Sequence, residues 1–272
     1  MSYNLLKGKK GIIFGALDQS SIAWKAAEKA HEEGAEFILS NAPIAMRMGA
    51  INELAEKTNS EIIPADATSV EDLEKLVAAA KEKFGGIDFI LHSIGMSPNI
   101  RKKIPYEDLN YRFFNQSIDV SALSFHKVMH VAHKMDALNE HASILALSYI
   151  AAQRVFPDYT DMSQAKAMLE SIARSFGGVL AKSKKVRVNT ISQSPTLTTA
   201  GKGIEGFKEF FKFADDMSPL GNASSEDCAN YIVMMFSDLT RSVTMQNLMH
   251  DGGFSASGIT SEIIEQIKLD NK

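Results

Sequence analysis

Tyr159 and Lys166 stand seven residues apart, in a segment that runs from Tyr149 through Phe156-Pro157-Asp158 to Met162-Ser163-Gln164-Ala165. Seven residues are about two helical turns, so the spacing predicts both side chains on one face of one helix, roughly 10 Å apart along its axis. A bound ribose can bridge that gap. The ammonium near the phenol is expected to favour phenolate, making a group with a reference pKa of about 10 a usable proton donor near neutral pH. A Tyr and a Lys at this spacing also arise by chance, as a packed ring and a solvated cation. The surrounding elements decide between the two.

Those elements follow a rhythm of short apolar runs and longer stretches of helical periodicity. Gly11-Ile12-Ile13-Phe14 precedes a helical stretch over 20–33, Phe37-Ile38-Leu39 one over 45–58, and Glu61-Ile62-Ile63 one over 70–84. Ile87-Asp88-Phe89-Ile90-Leu91 leads into a long helical stretch to about 136, and Ser143 to Leu147 into one over 160–182. Val186 to Ile191, a helix near 225–237 and a last strand near 243–249 complete the pattern. Strands apolar on both faces, alternating with helices, specify an α/β fold whose mainly parallel sheet is covered on both sides. No repeat or linker divides the 272 residues, so one doubly wound, Rossmann-type domain with seven strands is expected over 1–272. The catalytic candidates follow the fifth strand, and ligands in such sheets bind beyond the carboxyl ends of the strands.

The other junctions fit that placement. The first reads Phe14-Gly15-Ala16-Leu17-Asp18-Gln19-Ser20-Ser21-Ile22-Ala23, without a full G-x-G-x-x-G. Gly15 permits a tight turn, and Ser20 or Ser21 can cap a helix whose free N–H groups face a pyrophosphate. Asp66-Ala67 follows the third strand, where an acid can accept from an adenine amino group, and His92-Ser93-Ile94-Gly95 follows the fourth, where small residues admit a ribose and nicotinamide. After the second strand, Leu39-Ser40-Asn41-Ala42-Pro43 offers neither an acid for a ribose 2'-OH nor a base for a 2'-phosphate. With Arg47 the nearest cation, NADH is the expected cofactor and NADPH the alternative.

Composition narrows the rest. A net charge of -4 and no block of basic residues argue against nucleic-acid binding. The single Cys228 forms no internal disulfide and follows Ser224-Ser225-Glu226-Asp227, a helix start, so it is expected to pack in the core of a cytoplasmic protein. The amino terminus lacks an apolar signal region and no apolar run is long enough to span a membrane, so neither export nor membrane insertion is expected. His126, His130 and His133 share a helix face, but no Cys cluster or paired carboxylate joins them and no metal site is expected.

With these residues in view, the chain resembles the short-chain dehydrogenase/reductase superfamily and, within it, the bacterial enoyl-acyl carrier protein reductases. The resemblance runs through Leu5 to Gly11, Gly15 to Ala23, Leu91 to Gly95, Leu147-Ser148-Tyr149, Tyr159 to Lys166, Val186 to Ser192 and His250 to Phe254, and the paired Tyr149 and Tyr159 are its specific mark. Carbonyl-reducing relatives place a serine thirteen residues before the catalytic tyrosine, where this chain has Ala146, and tend to have Asn near Ile118-Asp119-Val120-Ser121. The resemblance therefore implies hydride transfer to the β-carbon of a trans-2-enoyl thioester in fatty acid biosynthesis, followed by protonation of the α-carbon. Tyr159 is implied to bind the thioester oxygen, Lys166 the ribose, and Tyr149 either to shape the substrate end or to assist proton delivery.

Further cofactor contacts are implied at Gly15, Ser21, Ile22, Asp66, Ala67, Ser93, Ile94, Gly95, Pro195 and Thr198. Substrate contacts are implied at Met96, Ser97 and Met162, and at Phe207 and Phe210 of a lid over about 195–215, whose hinge carries Gln193-Ser194 where the family commonly has Ala-Gly. Phe207 and Phe210 equally fit a short helix packed on the core. Lys202, Lys208 and Lys212 are candidates to meet an acidic carrier protein, and a homotetramer is implied. The rival readings are a carbonyl (3-oxoacyl) reductase on the same fold and a non-catalytic NAD(H)-binding sensor.

Overall fold

The computed structural model describes residues 2–46, 50–199, 201 and 206–270, so Arg47, Lys202 and Ile204 lie outside the described residues. Seven strands form one sheet: β1 (Lys10–Phe14), β2 (Glu36–Ser40), β3 (Glu61–Ile62), β4 (Ile87–His92), β5 (Leu138–Ser148), β6 (Arg187–Gln193) and β7 (Asn247–His250). Their order is β3-β2-β1-β4-β5-β6-β7, and every pairing is parallel. The chain leaves β1 in one direction and returns on its other side with β4, so the switch point lies between them.

The helices are α1 (Ile22–Glu32), α2 (Pro43–Met46), α3 (Ala50–Thr58), α4 (Val70–Phe84), α5 (Pro98–Arg101), α6 (Tyr111–Ile118), α7 (Ser124–Lys134), α8 (Met162–Lys184), α9 (Phe207–Met217), α10 (Ser225–Phe236) and α11 (Ser261–Asp270). Alternation along each strand divides the core between the two faces. Ile12, Phe14, Ile38 and Ile90 pack with Leu73, Leu76, Val128, Met129, Leu169 and Ala173 of α4, α7 and α8. Ile13, Phe37, Leu39, Phe89 and Leu91 pack with Trp24, Ala27, Leu54, Ile232 and Phe236 of α1, α3 and α10. Cys228 is fully buried in this second layer. The helix before it starts as expected, with Ser224 and Asp227 capping each other's backbone N–H.

Two helical stretches differ from the sequence pattern. The stretch over 45–58 is α2 and α3. The stretch towards 136 is α5, a short 3-10 turn at Tyr106–Asp108, α6, a π turn at Asp119–Leu123, and α7. Pro98 starts one piece, and Pro105, which has no N–H to continue a helix, separates it from the next. The π turn brings Ser121 to Met96: its hydroxyl accepts from Met96 N at 3.0 Å and donates to Met96 O at 3.1 Å. A wide turn inside a helix thus fixes the loop that leaves β4. No helix among the described residues is long and apolar enough to cross a membrane.

Arg187 at the start of β6 is 2% exposed and holds the end of α10 against the sheet. Its guanidinium donates to the carbonyls of Met235 (2.9 Å), Ser237 (3.1 Å) and Thr240 (3.1 Å) and to Thr240 Oγ1 (2.7 Å). Removing the cation leaves several carbonyls buried and unpaired. Arg187→Leu is expected to lower unfolding stability by about 3 kcal/mol in urea titrations.

Candidate active site

Lys166 projects from the second turn of α8 towards the carboxyl ends of β4 and β5. It is 8% exposed, and Nζ donates to Leu147 O at 2.7 Å. Gly95 makes room for it: a β-carbon there would lie 3.8 Å from Lys166 Nζ and 3.9 Å from Met162 Cε. Burial draws the ammonium's pKa down to about 8 against the opposing charge of Glu170, one turn along the helix. His92 lies beneath, fully buried, with Nε2 at 2.7 Å from Ser124 Oγ. The Ser124 hydroxyl gives its one proton to Val120 O, so His92 Nε2 carries the ring proton and donates. Burial, then the Lys166 charge, depress the imidazole pKa to about 3, which keeps this ring neutral.

Tyr159 does not lie on the helix with Lys166. Helix α8 begins at Met162, and Tyr159 occupies a turn before it, between Asp158 (φ 62°) and Thr160 (φ 33°). Two left-handed residues around Tyr159 break the helical repeat that the seven-residue spacing implied. The turn closes instead through Met162 N donating to Tyr159 O at 3.1 Å. The expected electrostatics also differ. Burial raises the Tyr159 pKa, while the Lys166 ammonium is committed to Leu147 O, so the phenol keeps its proton at neutral pH. It is a donor as it stands.

The Tyr149 ring packs on Tyr159 at 5.1 Å between centroids and on Phe156 at 5.3 Å. Its hydroxyl is buried with no hydrogen-bond partner among the described residues, and burial, then the neighbouring Tyr159 and Asp251, raise its pKa. Phe210 of α9 meets Tyr149 edge-on at 6.4 Å and Phe156 at 5.3 Å, and Phe254 lies 6.1 Å from Phe156. Three segments far apart in sequence, 149–159, α9 and the turn at Phe254, thus build one aromatic wall. Phe207 is turned away from it, 8% exposed and packed on Phe211 at 6.1 Å, so the two lid aromatics divide between lining and core. Lys212 is paired with Asp216 at 2.6 Å, and Lys208 is exposed.

The dinucleotide side is shaped by close backbone approach. Gly15 has φ 92°, and a β-carbon there would lie 2.0 Å from Ser93 O, so only glycine lets the β1 and β4 ends meet. Ser21 precedes α1 but does not cap it: its hydroxyl donates to Asp18 O at 2.7 Å and accepts from Leu17 N at 3.3 Å. The first-turn N–H groups of α1, beginning at Ile22, are left without a side-chain cap, as an anion site requires. Asp66 Oδ1 accepts from Thr68 N at 2.9 Å and Oγ1 at 2.8 Å, beside buried Ala67. Ile94 is half-buried against the core. Across the sheet, Pro195 is buried and Thr198 Oγ1 accepts from Gly201 N at 3.0 Å. Ser20 Oγ accepts from Thr199 N at 3.2 Å, joining the first loop to the start of the lid. At the end of β2, Asn41 makes a 3.4 Å bond to Ala16 O, and no charged side chain stands at 39–43. A Gly-shaped cradle, an uncapped helix end and this uncharged edge fit a dinucleotide.

Residues 15–255 match the model of the family described as enoyl-(acyl carrier protein) reductase. The chain belongs to that family. An NADH-dependent relative from Rickettsia bellii is 33% identical over 95% of this chain and 98% of its own length, and one from Bacillus subtilis 31% identical over 92% and 96%. The structure of an Alistipes finegoldii FabI–NADH complex superposes with a TM-score of 0.94 at 60% identity, covering 96% of this chain and 92% of that one.

In this reductase Ala146 lies in the interior of β5, paired between His92 and Thr190, so no hydroxyl stands at the position carbonyl reducers use. Ser97 is fixed by bonds within the protein. It is 4% exposed, starts α5 by accepting from Ile100 N at 3.0 Å, and donates to Asp161 Oδ1 at 2.6 Å, which leaves no proton for a substrate. Phe156, Phe254, Asp161 and Glu170 are the site residues that sequence reasoning passed over. Their types are common and their partners come from distant segments, so no local spacing marks them.

The depressed Lys166 pKa carries a sign that can be checked. The unfolded chain binds this proton up to about 10.5, the folded one up to about 8, so the ammonium opposes folding fully below pH 8 and progressively less above it. The penalty is on the order of 3 kcal/mol. Lys166→Met is expected to gain Tm relative to the parent at pH 7, with the gain shrinking towards pH 10. A gain that is the same at both pH values contradicts the assignment.

Proposed function

We propose that this enoyl-acyl carrier protein reductase reduces the trans-2 double bond of an enoyl thioester in type II fatty acid biosynthesis, with Tyr159 as the group that receives the developing negative charge. The observation that carries this reading is Tyr149 packed on Tyr159 at 5.1 Å, on the connection that leads into the buried Lys166, with Ala146 in place of a second hydroxyl. NADH, when bound, supplies a hydride to the β-carbon. Tyr159, kept protonated by burial, hydrogen-bonds the thioester oxygen, an interaction that strengthens as the enolate forms. Lys166 has one N–H fixed on Leu147 O and two left for ribose hydroxyls, so it orients the cofactor rather than titrating the phenol.

Gly15, Ser21 and Ile22 border the pyrophosphate together with Pro195 and Thr198. Asp66 and Ala67 border the adenine, and Ser93, Ile94 and Gly95 the nicotinamide half. Met96, Met162, Tyr149 and Phe210 face the acyl chain, and the 195–215 segment closes over it as a lid. The unpartnered Tyr149 hydroxyl at the substrate end favours a role in shaping that end or passing it a proton.

In an absorbance assay of NADH oxidation, crotonyl thioester should turn over and acetoacetyl thioester should not, with NADPH the poorer donor. Tyr159→Phe should lower kcat by about 10²-fold, the usual loss when one donor to an oxyanion is removed, with NADH binding retained. Equal rates on the two thioesters would favour the carbonyl reductase.

The resemblance further implies a cytoplasmic homotetramer acting on carrier-bound substrate. Met168 and Val179, exposed on α8, offer an apolar face for such packing. Light scattering should then give about four times the 29.8 kDa chain mass.

A further inference from the structure

Asp161 is fully buried immediately before α8, the place where an aspartate ordinarily accepts from the helix's own N–H groups, yet its side chain makes no such bond. Its two oxygens gather donors from other segments. Oδ1 accepts from Ser97 Oγ at 2.6 Å and Thr160 Oγ1 at 3.1 Å, and Oδ2 from Asn99 Nδ2 at 2.7 Å and from Ser117 Oγ at 2.8 Å, whose one proton is shared with Phe113 O at 2.9 Å. None of these four donors is a cation. A buried carboxylate is tolerable only when its lone pairs are filled, and here hydroxyls and an amide fill them.

The donors belong to the start of α5, to α6 and to the turn that carries Tyr159. Thr160 is the β-branched residue held at φ 33°, a conformation that such residues avoid and that persists only where surrounding bonds enforce it. Its hydroxyl ends on Asp161. Ser97 follows Met96, the residue gripped from its other side by Ser121. One carboxylate therefore joins the turn before α8 to the loop after β4, the two segments that flank the proposed substrate position.

We infer that Asp161 is a positioning residue, whose buried carboxylate holds the strained turn that sets the Tyr159 phenol. The inference rests on the reading of Tyr159 given above.

The test is a double-mutant cycle on the full-length enzyme, with kcat, KM for NADH, fluorescence-detected NADH binding and Tm measured for each variant. Asp161→Asn keeps the volume but turns an amide donor towards two of the four donors. It is expected to lower kcat about tenfold or more in the parent, with KM for NADH within about twofold, and to have no further effect in Tyr159→Phe. A loss by the same factor in both backgrounds means general structural damage and overturns the inference while leaving Tyr159's role intact. If Asp161→Asn does not fold, Ser117→Ala removes a single donor and should give about a threefold loss with the same dependence on Tyr159. Unchanged kcat in every variant that folds also overturns the inference. If Tyr159→Phe itself turns over at the parental rate, the reading of Tyr159 fails, and the positioning role falls with it.

Discussion

A lysine ammonium is held at the carboxyl edge of a parallel sheet, where one backbone carbonyl is its hydrogen-bond acceptor. Much of the surrounding structure follows from making that tolerable. The Leu147 carbonyl faces Lys166 only because β5 runs on to Ser148. Glu170, one turn beyond the lysine, supplies the opposite charge without touching it, and is itself fixed by Ser148 (2.6 Å), Asn247 (2.9 Å) and Gln153 (3.3 Å). The lysine thus draws β5, β7 and the loop after β5 into one network. His92 beneath it contributes a neutral dipole rather than a second charge. A protonated imidazole there would make the buried ammonium untenable.

The fold was legible because its signal is repeated. Seven apolar runs, the first six each followed by helical periodicity, leave little choice but a covered parallel sheet, and Gly15 marks its first junction. The site was legible in composition but not in geometry. Tyr159 and Lys166 have the spacing of helix neighbours, yet backbone conformation decides their relation. The left-handed Asp158 and Thr160 stand just before Asp161, whose carboxylate takes donors from distant segments that no local pattern encodes. Ser97 has the small, polar character of a ligand contact, and its hydroxyl is spent on a buried acid. Asp161 sits where a capping residue is expected and faces the other way. Such errors share a cause: side-chain type constrains which bonds a residue can make, and only the tertiary fold chooses the partner.

The substrate end differs in character from the cofactor end. The cofactor side is lined by backbone and small side chains, so its shape is set by strand geometry and leaves little freedom to substitution. The proposed substrate side is an aromatic wall assembled from Tyr149, Phe156, Phe210 and Phe254, three of which stand in loops or short turns and one on α9. Aromatic faces offer area without fixed polar complementarity, which suits the apolar chain of an acyl thioester.

Ser117, Ser121 and Ser124 lie before, within and after the π turn, and each has a fixed partner: Asp161, Met96 and His92. Since each residue advances a helix by about 100°, spacings of four and three residues keep all three on one inward side of this stretch. Loss of one residue between Asp119 and Leu123 would restore a regular helix and swing one end of it out of phase, parting either Ser117 from the acid or Ser124 from the imidazole. The length of this stretch is therefore tied to three separate partners, a constraint that its sequence does not display. Side chains of α6 and α7 outside these contacts carry no such constraint, whereas gaining or losing a residue between them moves one of the three contacts off its partner.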